Sequence, residues 1–511
     1  QCLTKSDSEV LIRLYQKYGI DFLNKLNGMF SFCIYDIKKD RYFCARDRYG
    51  KKPFFYHFKD NKFIFASAIK PIIKLLGSTP KINKIALSQY LQYFVPINDN
   101  TFFQNIHKLE AGTYILYENN EFLKKKYYQI NTYKKIKDEP TALKDIEEIL
   151  FKSVEYRLKA DVEVGSLLSG GIDSSLVVAI ASEYKQNLKT FTVSFDGAFD
   201  ESHLAKLTAQ KYNTKHTQIN ISMNLKNDIE TILQNYGQPF MDSSAIPSYY
   251  VSQEAKKHVT VILNGDGADE LFGGYRRYVP AANGLIHKAK LFSPLLKIMP
   301  TPHNKKSIYN YIYRLLAMSN KNGLDFYLSS TNDIFDDVYQ FKNNSVFERM
   351  NTFINNIQLD ELSKMLYLDF NMILFSDLLV KMDIATMAHS LEGRSPFLSK
   401  YMLEFAPSLQ NSYKVKGKNT KYILRELAKK YIPNELIHQP KRGFEVPLKN
   451  WVENDLKENI FDTLQNGSYG SNFIEQKFIN QILNNEINVS KEKRAKILWT
   501  LYCLEIWYKK Q

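Results

Sequence analysis

The sequence predicts a two-domain α/β protein, with an antiparallel-sheet domain over residues 1–135 and a parallel-sheet domain over residues 141–511. The first 135 residues contain short β-like runs separated by turn signals. After a polar segment at 134–140, strand-like and helix-like segments alternate, which is typical of right-handed βαβ units. From about residue 280 onward the pattern is mostly helical.

The first domain begins with a helix-forming segment, SDSEVLIRLYQKYG, at residues 6–19. Runs rich in Phe, Tyr and Ile follow, separated by Asp, Asn and Gly turns, and they indicate a mainly antiparallel sheet with a closing hairpin. The predicted strands span residues 29–35, 41–45, 54–58, 62–66, 113–117 and 125–128.

The second domain alternates strands with helices up to about residue 263. Helical spacing predicts helices at 143–158, 174–184 and 202–212. Apolar β-branched runs predict strands at 162–168, 190–195 and 259–263.

Composition excludes several classes of protein. With 44% apolar and 24% charged residues, the 511-residue chain is not a disordered, collagen-like or coiled-coil protein. No apolar run approaches the roughly 18–20 residues that span a bilayer. The net charge of +15 would suit nucleic acid, an anionic membrane or ATP, but the lysines are scattered, which favours solvated surface charges. Four cysteines without a C-x-x-C pair fit a reducing cytoplasm.

The strongest motif is LLSGGIDSSL at residues 167–176, where a buried strand ends in a glycine pair and a helix begins near Ser174. Glycines let backbone N–H groups approach an anion, and the helix dipole favours negative charge there. The expected pyrophosphate cradle consists of Ser169, Gly170, Gly171, Ser174 and Ser175. The motif lacks the Walker pattern and resembles the PP-loop of ATP pyrophosphatases, which cleave ATP to AMP and pyrophosphate.

Carboxylates lie in or near two predicted ligand loops. Asp173 among phosphate donors suggests a Mg²⁺ ligand, although an aspartate there could also cap the helix. The segment LNGDGADELFGGYRRY, residues 263–278, carries Asp266, Asp269 and Glu270 after the strand at 259–263. Loops at the carboxyl ends of parallel strands line one crevice, so this loop should face the first one.

Taken in order, the motifs resemble glutamine-hydrolysing asparagine synthetases over nearly the whole chain. The resemblance implies an incomplete class II glutaminase-type sandwich, then a PP-loop ATP pyrophosphatase domain with a helical extension. It also implies that ATP and aspartate give β-aspartyl-AMP, from which ammonia displaces AMP. The segments that carry the resemblance are SDSEV (6–10), LNGMFSFCIYD (26–36), ARDRYGKKPFFY (45–56), SGGIDSS, QPFMDSSAIP (238–247), NGDGADELFGGY, KMDIATMAHSLEGRSPFL (381–398), GKNTKYILR (417–425) and PKRGFEVPLKNW (440–451).

The resemblance assigns roles residue by residue. Positions matching the adenosine site are Leu167, Val193, Asn264 and Gly265. Asp173 and Asp269 match Mg²⁺ ligands, and the five residues of the expected cradle match the pyrophosphate site. Lys441 matches the lysine that neutralises charge on the α-phosphate, and Asp266 matches the group that accepts a proton as ammonia attacks.

Three further matches have structural alternatives. Lys381 and Arg394 would bind phosphate or the substrate carboxylate, or would instead form structural salt bridges. Asp7 matches the carboxylate that binds the α-ammonium of glutamine, but it could also serve as a helix N-cap, alone or with Ser6.

The sequence departs from the family at its beginning. The family nucleophile is an N-terminal cysteine, whereas here Gln1 precedes Cys2, and the histidine-arginine-glycine-proline and Asn-Gly segments are absent. We expect an N-terminally truncated sequence, with a naturally shorter relative as the alternative. These 511 residues should not hydrolyse glutamine, whereas the complete protein would take its ammonia from glutamine.

Other functions stay open from the sequence. The same adenylation could amidate another carboxylate, such as a sugar acid or a peptide. A PP-loop tRNA-modifying enzyme is disfavoured because no RNA-binding pattern appears, and a non-catalytic scaffold is disfavoured because both loops are intact. The expected partners are small molecules, without nucleic acid or membrane, and a homodimer stays possible.

Overall fold

The computed structural model describes most of the chain. Its described residues are 2–130, 138–194, 202–220, 224–300, 302, 307–321, 326–327, 330, 335, 359–439, 446–466 and 469–509.

The N-terminal region contains two antiparallel sheets, as the sequence predicts. The first sheet has the order β1-β2-β6-β7 and the second the order β4-β3-β5. The strands are β1 (Ser31–Asp36), β2 (Arg41–Arg46), β3 (Phe55–Lys59), β4 (Lys62–Ala66), β5 (Ile106–Lys108), β6 (Thr113–Glu118) and β7 (Glu121–Lys126). The helices are α1 (Asp7–Tyr18), α2 (Ile69–Leu76) and α3 (Lys84–Tyr93).

The predicted strand at 125–128 is wrong in position, because β7 begins at Glu121. Asn119 and Asn120 both adopt positive φ, +50° and +63°, and Glu118 pairs with Glu121 across the turn. A two-residue hairpin turn needs this left-handed backbone, and asparagine tolerates it better than most residues. The turn therefore starts the strand earlier than its aromatic residues suggest. The three-residue strand β5 was not predicted.

Apolar clusters arrange the N-terminal elements in layers. Phe22 and Phe43 lie in the cluster between α1 and the first sheet. Phe54 and Ile115 lie in the cluster between the two sheets. The outer face of the second sheet, including Ile64, packs with α2 and α3.

A parallel sheet of order β10-β9-β8-β11-β12 follows. Its strands are β8 (Val164–Leu167), β9 (Lys189–Ser194), β10 (Lys215–Asn220), β11 (Val261–Leu263) and β12 (Glu392–Arg394). Strands β8, β9 and β11 were predicted. Strand β10 is largely polar and β12 has three residues, so neither shows an apolar run that could be recognised.

Helices surround this sheet and form most of the C-terminal half, as predicted. They are α4 (Glu139–Leu158), α5 (Ile172–Tyr184), α6 (Ser202–Lys211), α7 (Leu225–Gln234), α8 (Ala245–Lys256), α9 (Ala268–Phe272), α10 (Tyr278–Ala282), α11 (Leu285–Lys290), α12 (Ile308–Ser319), α13 (Glu361–Leu368), α14 (Leu379–Met387), α15 (Lys400–Phe405), α16 (Asn411–Lys414), α17 (Tyr422–Tyr431), α18 (Asn434–Ile437), α19 (Leu448–Asn450), α20 (Lys457–Gln465), α21 (Gln476–Leu483) and α22 (Lys491–Tyr508). A π-helical segment, Asp369–Leu378, joins α13 to α14.

The predicted linker at 134–140 lies partly outside the described residues, which resume at Asp138. Helix α4 begins at Glu139, earlier than the predicted start at residue 143. Asp138 caps the helix by accepting a hydrogen bond from the Thr141 backbone N–H at 2.9 Å, and Pro140 occupies the first turn. Proline is tolerated there because a first-turn N–H has no partner within the helix.

Two further expectations concern the cysteines and membrane-spanning helices. All four cysteines are free, with Cys33 and Cys44 opposite each other on β1 and β2. Within the described parts of the chain, no helix is both long and apolar enough to cross a bilayer.

The N-terminal and C-terminal regions share a core. The cluster formed by α2 and α3 includes Trp499 and Leu501 of α22. Tyr90 of α3 also donates a hydrogen bond to the Thr500 carbonyl at 2.8 Å. Lys52 forms an ion pair with Asp383 at 2.8 Å. The sheets of both regions are therefore fixed relative to each other.

Lys108 is a buried basic residue at this junction, and it should make stability depend on pH. Burial, then the charge of Arg46, lowers the pKa of Lys108 from 10.5 to about 7. The unfolded chain keeps Lys108 protonated up to about pH 10.5, whereas the folded protein loses this proton above about pH 7. The free-energy cost of burying the Lys108 ammonium is therefore complete below pH 7. As the pH rises towards 10.5 this cost disappears, and the free energy of unfolding increases.

We expect Lys108→Met to stabilise the protein at pH 6.5. One pKa unit corresponds to about 1.4 kcal/mol, so removing the buried charge should gain a few kcal/mol at most. The variant also loses the weak contact between Lys108 Nζ and Ser376 Oγ at 3.5 Å, which reduces this gain only slightly. Thermal unfolding midpoints should show a gain that shrinks at pH 9.5. An equal gain at both pH values would contradict a buried charge as the cause.

Candidate functional site

The candidate site lies at the carboxyl ends of three adjacent strands, β9, β8 and β11. Leu167 is the last residue of β8, and Val193 lies next to the end of β9. Asn264 and Gly265 directly follow β11. The structure thus brings together the four positions predicted to hold adenosine, at the edge where ligands bind in open α/β sheets.

The SGGIDSS loop turns from β8 into α5, which begins at Ile172 rather than near Ser174. The Ser169 backbone N–H donates to Ser174 Oγ at 3.1 Å, and the two hydroxyl oxygens lie 2.9 Å apart. The Gly171 backbone N–H donates to Ser169 Oγ at 3.2 Å. The side chains of Ser169 and Ser174 therefore shape the loop that contains Gly170.

Ser175 faces away from this loop. Its side chain is fully buried, and its hydroxyl accepts a hydrogen bond from Thr208 Oγ1 on α6 at 3.2 Å. The hydroxyl of Ser175 therefore packs α5 against α6. It is not positioned with the hydroxyls of Ser169 and Ser174.

The two predicted metal ligands meet at a lysine. Lys421 Nζ lies 2.7 Å from Asp269 Oδ1 and also contacts Asp173 Oδ2. The lysine side chain is 5% exposed, so this ion pair is shielded from water. The first and second loops therefore lie close together, as predicted. The ammonium group of Lys421 lies between their carboxylates.

Two glycines allow the loops to come this close. A Cβ atom on Gly265 would lie 3.0 Å from the Asp173 Cβ. A Cβ atom on Gly274 would lie 1.8 Å from Asp269 Oδ1 and 2.3 Å from Lys421 Cε. The second loop therefore needs glycine at position 274 for its carboxylate to reach the lysine.

Lys421 lies in the segment GKNTKYILR, but no sequence pattern singles it out. This lysine precedes α17 with a left-handed backbone, φ +52°, and its N–H donates to the Gly273 carbonyl at 3.4 Å. A lysine in this conformation is uncommon, and such strain clusters at functional sites. A lysine directly after a Gly-Lys-Asn-Thr turn was the available signal, but nothing in the sequence places it beside Asp173.

The residues at this site provide the oxygen atoms that a divalent cation would need as ligands. Asp173 Oδ1 is buried without a hydrogen-bond partner in the described part of the chain, so it can still accept a ligand. Two carboxylates beside a phosphate-binding loop are donors that Mg²⁺ prefers. Among the described residues, no group of three or more His, Cys, Asp or Glu side chains forms a metal site by itself.

Asp266 follows Asn264 and Gly265 at the end of β11. Its backbone N–H donates to Asn264 Oδ1 at 3.4 Å. Its carboxylate is one of the charges that raise the pKa of the buried Lys381. The carboxylate of Asp266 is therefore close enough to Lys381 to stabilise its ammonium.

Lys381 is bound by the QPFMDSSAIP segment. Its Nζ lies 2.8 Å from Asp242 Oδ2 and donates to Ser244 Oγ at 2.8 Å. Burial disfavours the ammonium, but attraction by Asp242 and Asp377 outweighs it and raises the pKa of Lys381. Burial and repulsion by Asp242 raise the pKa of Asp377 to about 8. Lys381 thus forms a buried salt bridge beside the site.

Arg394 forms a structural salt bridge, which is the alternative to its binding phosphate or the substrate carboxylate. Its Nε donates to Glu392 Oε1 at 2.7 Å. Its Nη1 donates to the carbonyls of Arg157 and Lys159, both at 2.8 Å. These bonds fasten β12 to the end of α4.

Asp7 is exposed and lies on the first turn of α1, and its role towards glutamine stays a prediction. Ser6, rather than Asp7, is the N-cap, and it accepts the Ser8 N–H at 3.3 Å. Lys441 lies outside the described residues.

Glu270 was noted as a carboxylate but not predicted as a site residue. Burial and the nearby Asp269 raise its pKa to about 7, and Tyr275 donates a hydrogen bond to it. Behind it, Asp369 is fully buried and accepts hydrogen bonds from Tyr278 and Tyr327. This network supports the second loop from within the helical half.

Comparisons with known proteins agree over nearly the whole chain. The family described as asparagine synthase matches residues 145–509, and the one described as glutamine amidotransferase domain matches residues 1–128. Asparagine synthetase [glutamine-hydrolyzing] 1 of Bacillus subtilis (strain 168) is 32% identical over 99% of this chain and 81% of its own.

Two further relatives extend the comparison. A putative asparagine synthetase [glutamine-hydrolyzing] of Mycobacterium tuberculosis (strain ATCC 25618 / H37Rv) is 29% identical over 99% of this chain and 80% of its own. Amidase chyE of Penicillium rubens is 26% identical over 90% of this chain and 75% of its own.

Proposed function

The chain belongs to the asparagine synthase family, and from this we propose that it amidates the side chain of L-aspartate to give L-asparagine, using ATP and ammonia. Residues 141–511 form the amidating unit in this proposal, and residues 1–135 form the glutaminase-type unit. The observation that carries the proposal is the convergence of Asp173 and Asp269 on Lys421 at the carboxyl ends of parallel strands.

The first step activates the acceptor. The aspartate β-carboxylate attacks the α-phosphorus of ATP, a new P–O bond forms, and the bond to the β-phosphate breaks to release pyrophosphate. The Ser169–Ser174 loop would bind that pyrophosphate through backbone N–H groups and the N-terminus of α5. Lys421 and Lys441 would offset its negative charge. Mg²⁺ held by Asp173 and Asp269 would supply further charge neutralisation.

The second step transfers nitrogen. Ammonia attacks the β-carbonyl carbon of the acyl-adenylate, the C–N bond forms, and AMP leaves with the carboxyl oxygen. The attacking nitrogen must lose a proton, which Asp266 would accept. Leu167, Val193, Asn264 and Gly265 would hold the adenosine part throughout.

One relative supports a second class of acceptor, a carboxylate other than that of aspartate. The relative named amidase chyE covers 90% of this chain without carrying the asparagine synthetase name. The same adenylation chemistry on another carboxylate, such as a sugar acid or a peptide, would use the same loops. The difference would lie only in the residues that contact the acceptor.

The test is pyrophosphate release with MgATP, ammonium chloride and L-aspartate, compared with a control lacking aspartate. We expect aspartate-dependent release with asparagine formed in equal amount. Release with glucuronate or a short acidic peptide, and none with aspartate, would favour the second acceptor class. Folded protein that binds ATP without releasing pyrophosphate on any of these acceptors would overturn the proposal.

A further inference from the structure

A buried hydrogen-bond chain runs from the N-terminal region into the candidate nucleotide site. Lys51 Nζ donates to Ser395 Oγ at 2.7 Å. Ser395 Oγ donates to Asn264 Oδ1 at 2.6 Å. All three residues are at most 3% exposed. Lys51 belongs to the ARDRYGKKPFFY segment, whereas Asn264 follows β11, so the chain crosses the junction between the two regions.

The order of donors and acceptors along these hydrogen bonds follows from the groups that form them. A lysine ammonium can only donate, so Ser395 Oγ must accept from Lys51 and use its own proton for the next bond. That bond requires an acceptor and, together with the longer bond from the Asp266 backbone N–H to the same oxygen at 3.4 Å, it fixes the Asn264 amide with its oxygen toward Ser395. The Asn264 Nδ2 is then left as a donor, and it is buried without a partner among the described residues.

The lysine is an unusual choice for a merely structural position. Among the described residues, no carboxylate lies within ion-pair distance of Lys51, whereas the adjacent Lys52 pairs with Asp383. Burial lowers the pKa of Lys51 to about 8, with partial compensation from the charge of Asp266. A buried ammonium without a counterion costs stability, which an apolar residue would avoid.

We propose that Lys51 is a positioning residue of the amidating site, which fixes the Asn264 amide so that its Nδ2 donates a hydrogen bond to the bound nucleotide. The inference rests on the proposed function for its ligand, ATP. The N-terminal region thereby contributes to nucleotide binding through a side chain that does not touch the nucleotide. Lys51 acts only through Asn264, so the effect of replacing it is measured as a change in ATP affinity.

The test compares Lys51→Met, Asn264→Ala and the double variant, with Lys52→Met as the matched control from the same turn. Equilibrium binding of ATP is measured by calorimetry, and ammonia-dependent turnover gives KM and kcat. We expect Lys51→Met to weaken ATP binding and raise its KM about tenfold, as for one lost hydrogen bond, with kcat within about twofold. In the Asn264→Ala background the same change should add less than about twofold, because coupled residues are non-additive.

The outcomes separate this inference from the proposed function. Unchanged ATP affinity in Lys51→Met, full additivity with Asn264→Ala, or an equal loss in Lys52→Met would each overturn the positioning role. A failure of aspartate to support turnover, with the affinity pattern intact, would overturn only the acceptor assignment. A wild-type protein that does not bind ATP would overturn both. Thermal unfolding midpoints of all variants exclude loss of folding as the cause.

Discussion

Lys421→Met is expected to reduce aspartate-dependent pyrophosphate release by about a hundredfold or more, the order seen when one preorganised group is removed from an active site. The ammonium of Lys421 contacts both Asp173 and Asp269, and its side chain is 5% exposed. Without this charge the two carboxylates repel each other, and the leaving pyrophosphate loses a cation. The measurement is the initial rate of pyrophosphate release at saturating MgATP and ammonium.

A matched control is available on the helix that follows. Lys430 of α17 pairs with Glu147 on the surface and is 56% exposed. Exposed ion pairs contribute little to stability, so Lys430→Met should leave the rate unchanged. A folded Lys421→Met protein with a wild-type rate would remove Lys421 from the site. A similar loss in both lysine variants would point to a general effect of lowering the net charge.

The strand–turn–helix order of the two glycine-rich loops could be predicted because its signals are local. In LLSGGIDSSL and NGDGADEL a strand, a glycine turn and a helix follow one another directly, and parallel strands bring such turns to one edge. The same local reasoning could not separate Ser174 from Ser175. The two serines are adjacent in sequence, but Ser174 points into the loop and Ser175 packs against Thr208. That difference depends on where α5 begins.

Residues that act across long sequence distances were harder to find. Lys421 reaches Asp173 only because a left-handed turn before α17 places it there. Lys51 reaches Ser395 only because the two regions share a core. Neither lysine has a spacing rule that links it to its partner. In the N-terminal region the resemblance gives Asp7 a ligand role that stays a prediction, since among the described residues no hydrogen bond from a distant element reaches its exposed side chain on the first turn of α1.

Gly274→Ala is expected to abolish most of the activity although it adds one carbon atom. The new Cβ would lie 1.8 Å from Asp269 Oδ1 and 2.3 Å from Lys421 Cε, far inside van der Waals contact. One of these side chains must therefore leave, which separates Asp269 from Lys421. The expected loss in pyrophosphate release is about a hundredfold, like that of removing a charged group from the site.

Gly28→Ala is the control for this substitution, because among the described residues no atom beyond its two chain neighbours lies within 4 Å of the position of its new Cβ. Its activity should match that of the wild type. Asp269→Asn adds no heavy atom and removes the same ion pair with Lys421, so its loss of activity should be of the same order as that of Gly274→Ala. If folded Gly274→Ala kept its activity while Asp269→Asn lost it, the steric link between Gly274 and the ion pair would be wrong. If both variants stayed active, the Asp269–Lys421 contact would not serve the reaction, and the chemistry would have to rest on the first loop and Asp266.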